Sequence, residues 1–143
     1  MSDNQSGPAP RSLTDAELVE VLGAQQFGVL ATVKRSGHPA MSNVLYRWDP
    51  AERVIRISTT ADRAKVKQIR NNPRVALHVS GPDVWSFAVA EGDAEVSASP
   101  RELLAFAGHP ADAAGYLEQQ ARENRVIITL RVTRLYGTAL DIA

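Results

Sequence analysis

Six stretches of strand length, rich in Val, Ile and Thr and mostly separated by short turn signals, dominate this chain of 143 residues. They are read at 27–34, 39–48, 54–59, 74–80, 84–96 and 126–137, with turn formers such as Ser36-Gly37 and Asp49-Pro50 between them. Strands joined by short turns pair antiparallel, and the last stretch is long enough to close the set into a barrel. Phe27 to Lys34 is nearly continuous apolar sequence, so burial on both faces is expected of it. In its hairpin partner Met41, Asn43 and Leu45 share one face, and Ser42, Val44 and Tyr46 the other. The fifth stretch carries a line of small residues, Ser86, Ala88, Ala90, Gly92 and Ala94. Such a line leaves room for a neighbouring backbone or a flat ring, and close packing between strands is the favoured reason.

Helices fill the longer connections. Thr14-Asp15-Ala16-Glu17 is a capping-box pattern that predicts a helix over 15–24. Asp62 is read as the N-cap of a second helix, with Ala64, Val66 and Ile69 on one spacing and Asn71-Asn72-Pro73 as its stop. Ser99-Pro100 starts a third helix that Gly108 ends, and a fourth covers 111–123. The expectation is one mainly β domain over 13–143, a six-stranded barrel with about four peripheral helices. A polar tail rich in Ser, Gly and Pro occupies 1–12.

Composition narrows the partners. Lys plus Arg equals Asp plus Glu at 16 each, so no net field draws the chain to nucleic acid or to anionic lipid, and any anion site must be local. Cysteine is absent, which removes disulfides and thiol chemistry and agrees with a cytoplasmic location. His38, His78 and His109 have no metal-ligand spacing, and no metal is expected. No apolar run reaches membrane-spanning length.

The second helix is where a phosphate is expected. Its unpaired first-turn amides and the positive end of its dipole favour an anion, and Arg63 and Lys65 add two cations to that field. Ser58 and Thr59, ending the strand before it, bring hydroxyl donors. Arg63, Lys67 and Arg70 share one side of an ideal wheel while Lys65 points elsewhere, so convergence is confined to the helix end. A solvated basic helix face is the alternative.

The order of Phe27-Gly-Val-Leu-Ala-Thr, Gly37-His-Pro, Met41-Ser-Asn-Val, Ile57-Ser-Thr, Arg63-Ala-Lys65, Asn72-Pro-Arg-Val, Trp85-Ser-Phe-Ala and Glu91-Gly resembles the pyridoxamine 5'-phosphate oxidase-like superfamily. These are split β-barrels of the FMN-binding type, and the closer likeness is to their deazaflavin branch, which uses coenzyme F420. The resemblance implies a homodimer with cofactor sites between its subunits. It places the cofactor phosphate on Arg63 and Lys65, with Ser58 and Thr59 beside it. It sets the ring against the second strand, with Pro39, Met41, Ser42 and Asn43 as contacts to its polar edge. Trp85 matches an aromatic offered by the partner subunit, and Lys34 a position near the acidic tail of F420. FMN-using relatives tend to show adjacent Arg-Lys, whereas Arg63 and Lys65 are separated by Ala64. The implied activity is hydride transfer from reduced F420 to an unsaturated small molecule, with Tyr46, His78 or solvent supplying the proton. An FMN-dependent enzyme and a non-catalytic cofactor or tetrapyrrole binder stay open as alternatives.

Overall fold

The computed structural model describes residues 9–140. Along them run β1 (Arg11–Ser12), α1 (Asp15–Ala24), β2 (Phe27–Val33), β3 (Pro39–Asp49), β4 (Val54–Thr60), α2 (Ala64–Asn71), β5 (Arg74–Ser80), β6 (Phe87–Ser97), α3 (Pro100–Ala107), α4 (Ala113–Arg122), β7 (Arg125–Tyr136) and β8 (Thr138–Ala139). Strands β2 to β7 close into an antiparallel barrel in the order β2-β3-β4-β7-β6-β5. The tail expected over 1–12 falls largely outside the described residues, and its last two, Arg11–Ser12, pair with Thr138–Ala139.

The barrel interior holds the core. Leu30, Ile55, Ile57, Leu77, Val79, Ile128 and Leu130 are almost wholly excluded from solvent, and Val66 and Ile69 carry α2 into the same cluster. Burial of large aliphatic side chains at this density supplies the main stabilising term of a domain this size. Thr32 donates its hydroxyl hydrogen to the Gln68 side chain at 2.6 Å, so α2 is fixed to the sheet by a polar contact as well as by its apolar stripe. The small-residue line lies inside, with Ala88, Ala90 and Ala94 buried. Gly92 stands at a bulge opposite β7, where an added Cβ would lie 1.8 Å from the Arg131 carbonyl oxygen. Backbone approach is thus the reason for the glycine.

Three expectations are corrected. The β2 strand is not buried on both faces: Leu30 and Thr32 point inward and are buried, whereas Phe27 is 69 % exposed. The strand expected from Val84 begins at Phe87, because Gly81, Asp83 and Ser86 bond among themselves as a turn, Gly81 N–H donating to the Ser86 carbonyl at 2.7 Å. Asp62 does not cap α2: Arg63 holds the N-cap position, and the Asp62 carboxylate accepts instead from the Thr60 hydroxyl at 2.6 Å.

Candidate cofactor site

That misdirected aspartate leaves α2 distinct from its fellows. Thr14 caps α1, Ser99 caps α3 and Asp112 caps α4, each accepting from a first-turn amide. No side chain caps α2. Its first turn therefore presents backbone donors and the positive end of the dipole to whatever lies in front of it.

In front of it is a cleft of about 200 Å³ lined by Asn43, Ser58, Thr59, Thr60, Arg63, Lys65 and Arg125. Strand register explains the assembly. The pairing of Tyr46 with Ile57 sets the Asn43 end of β3 level with the end of β4, and the pairing of Thr60 with Arg125 brings the start of β7 to the same edge. Among the described residues neither Arg63 nor Lys65 has a carboxylate within ion-pair distance. Burial holds the Lys65 ammonium below its ordinary pKa, and the neighbouring Arg63 pushes it the same way. Two cations are crowded together with no carboxylate in contact, Asp62 acting on Arg63 only at longer range, an arrangement that an entering anion relieves.

A second hollow, about 510 Å³, adjoins the first through Asn43 and is lined also by Gln25, Phe27, Gly28, Val29, His78 and Ser80. Val29 pairs with Asn43 on one side and with His78 on the other. The three form a cross-strand row about 10 Å wide at the usual strand spacing. His78 is itself stacked on Phe87, the ring centroids 5.2 Å apart and 16° from parallel.

Of the ten residues expected at the site, Arg63, Lys65, Ser58, Thr59 and Asn43 meet in one cleft. Ser42 lies on the inward face of β3 with Val44 and Tyr46, opposite Asn43. Met41 faces outward and is 68 % exposed, but lines neither hollow. Pro39 borders a different depression with Val33 and Arg74, four residues from Asn43 and so about 13 Å along the strand. Lys34, whose N–H donates to the His38 carbonyl in the hairpin turn, sits at that same far end. Trp85 lies on the 81–86 loop, 53 % exposed, its backbone N–H donating to the Asp83 carboxylate at 2.8 Å; it reaches neither hollow within its own chain. Tyr46 is buried and donates its hydroxyl to the Leu22 carbonyl at 2.6 Å, and burial raises its pKa well above the ordinary value. Arg125 was not singled out by the sequence; only the register of β4 against β7 reveals it.

The sequence pattern of the pyridoxamine 5'-phosphate oxidase family matches residues 14–139. The chain belongs to that family. Among solved structures, this family barrel is similar to a conserved hypothetical protein of Mycobacterium tuberculosis at 20 % identity, covering 89 % of this chain and 85 % of that one, with a TM-score of 0.71. It is similar to a FAD-binding protein of Mesorhizobium loti at 21 % identity, covering 95 % and 100 %, with a TM-score of 0.68. An F420 reductase is 29 % identical over 81 % of this chain and 93 % of its own, with a TM-score of 0.61. Among the described residues, no helix is long and apolar enough to cross a membrane, and no three His, Asp or Glu side chains are grouped to hold a metal.

Proposed function

We propose that this family member is a homodimeric oxidoreductase that binds coenzyme F420 and reduces an unsaturated small molecule. The observation that carries the reading is the pair Arg63 and Lys65, in front of the uncapped α2 and, among the described residues, without a contacting carboxylate. Such a site fits a phosphate, and the adjoining row of Asn43, Val29 and His78 is wide enough for a flat ring. The 29 % identity to an F420 reductase supports the deazaflavin over FMN. Outward Phe27, Met41, Leu45, Val84 and Trp85 are exposed on the single chain, and a second copy of the chain is the occupant that would cover them and bring its Trp85 to the ring.

When bound, reduced F420 supplies a hydride at its ring. The work of the protein is placement. Arg63, Lys65 and the α2 amides anchor the phosphate, which fixes the ring relative to β3. Asn43, common to both hollows, orients the polar edge of the ring, and Phe27 with Val29 keeps water from its face. His78 lines the ring hollow, and in its imidazolium form it would be the side chain placed to give a proton to the reduced product, leaving neutral imidazole. Tyr46 is withdrawn from that role by its bond to Leu22.

Titration of the purified chain with oxidised F420 and with FMN, followed by fluorescence, tests the reading. Saturable binding with F420 the tighter ligand supports it, and tighter FMN binding transfers the assignment to an FMN-dependent enzyme. Sedimentation at the same protein concentration checks the dimer, since a monomer that binds F420 fully would remove the interface from the proposal.

A further inference from the structure

We infer that Arg125 is a third ligand of the bound anion and that Glu123 positions it. The inference rests on the anion reading of the Arg63 and Lys65 cleft and adds a residue about sixty positions further along the chain. Arg125 lines that cleft and is paired in register with Thr60, the last residue of β4.

Its place relative to Arg63 is set by backbone. The turn from α4 into β7 passes through Asn124, whose φ of 55° lies in the left-handed region. Its carbonyl accepts the Ala61 N–H at 3.0 Å. The turn that carries Arg125 is therefore bonded to the turn that carries Arg63, and both side chains line the same cleft. Left-handed backbone is tolerated better by asparagine than by most residues, which suits Asn124 to this position.

The side chain is held by one atom only. Arg125 Nε donates to the Glu123 carboxylate at 3.1 Å, and Glu123 is hydrogen-bonded in turn by Gln119 of α4. Among the described residues, Nη1 and Nη2 of Arg125 have no acceptor. A guanidinium fixed at Nε keeps its terminal pair of donors parallel and available, the geometry that binds two oxygens of a phosphate or carboxylate at once. Glu123 thus takes up one donor of Arg125 without closing off the fork, and limits the rotamers from which Arg125 must be recruited. With Arg63 and Lys65 the lining carries three cationic side chains, offset in part by Glu123 on Arg125 and by Asp62 beside Arg63, a net positive lining suited to a phosphate monoester or a phosphodiester followed by carboxylates.

The test pairs FMN with riboflavin, which lacks only the phosphate, and adds F420, all titrated against the full chain. Arg125→Ala is expected to weaken FMN and F420 binding about tenfold or more while leaving riboflavin affinity within about twofold, and Arg125→Lys to recover only part of the loss. Glu123→Ala is expected to weaken FMN and F420 binding with an unchanged thermal midpoint. Tighter binding in Glu123→Ala would mean that Glu123 competes with the ligand, and would overturn its positioning role. Unchanged FMN and F420 affinity in Arg125→Ala, with clear loss in Arg63→Ala/Lys65→Ala, would overturn the role of Arg125 while sparing the anion site. No loss in either variant would remove both.

Discussion

Arg56 Nε donates to the Glu102 carboxylate at 3.3 Å, and this contact fastens α3 to the barrel wall. Arg56 is only 5 % exposed, which its Asp49 and Glu52 partners at 3.0 Å and 3.3 Å make tolerable. The same Glu102 oxygen accepts the Thr129 hydroxyl at 2.6 Å, so β4, β7 and α3 meet at one carboxylate. Removing Glu102 leaves Arg56 with Asp49 and Glu52 but strips the Thr129 hydroxyl and the Arg56 Nε of their acceptor, and Glu102→Ala is expected to cost about 1–3 kcal/mol. Urea denaturation measures it; a loss below about 1 kcal/mol would show that Asp49 and Glu52 neutralise Arg56 without Glu102.

Acid should find the same cluster. Burial alone would raise the Glu102 pKa, but the bonds from Thr129 and Arg56 outweigh it and leave the group below its ordinary value. The Arg56 hydrogen bond, then the Glu52 amide, lower Asp49. A carboxylate whose pKa is depressed on folding contributes stability that is complete above its unfolded pKa, about 4, and is lost as pH falls through the folded value. Unfolding free energy should therefore hold steady from pH 7 to pH 5 and decline below about 4. In Glu102→Gln, which has no carboxyl to protonate, the acid limb should be shallower; an identical limb would refute the assignment.

The Tyr46 hydroxyl serves the fold, on this account, and not the chemistry. Tyr46→Phe strands the Leu22 carbonyl in the interior and is expected to cost about 1–3 kcal/mol of stability. F420 affinity and turnover should stay at the wild-type level in the folded variant. A large drop in turnover with stability preserved would return Tyr46 to the list of proton donors.

Lys65 makes anion binding sensitive to alkali. Its pKa is depressed in the free protein, chiefly by burial and then by Arg63, and an anion beside it must raise that pKa. The complex then holds more protons than the free chain, so affinity for the phosphate falls as pH rises through the free-state pKa of Lys65. Lys65→Arg, always charged, should bind with a flatter profile between pH 7 and pH 10. Equal slopes in the two proteins would place Lys65 away from the anion.

Much of this molecule could be read from local pattern. The Thr14–Glu17 capping box and the Ser99-Pro100 start mark α1 and α3, because those signals are complete within four positions. Asp62 misled because two short-range options compete for one carboxylate, the α2 amides and the Thr60 hydroxyl, and the second prevails. The consequence is functional, since an uncapped α2 is a stronger anion site than a capped one. Val84 and Trp85 carry strand propensity, yet the Asp83 carboxylate and the Gly81–Ser86 bond turn the chain before β6 can start. Arg125 was out of reach for another reason: nothing in its neighbourhood along the chain marks it, and only the pairing of β7 with β4 brings it to α2. The same limit holds for Lys34 and Pro39, near Asn43 in sequence but carried by extended backbone out to the hairpin turn, beyond reach of the cleft.

The central claim is that the cations at the start of α2 grip the phosphate of a redox cofactor. Its most direct test is the dissociation constant of oxidised F420 for the wild-type chain and for Arg63→Ala/Lys65→Ala, each verified as folded. Removing two charge-assisted contacts should weaken binding by about a hundredfold or more. An unchanged dissociation constant in the folded double variant would contradict the account.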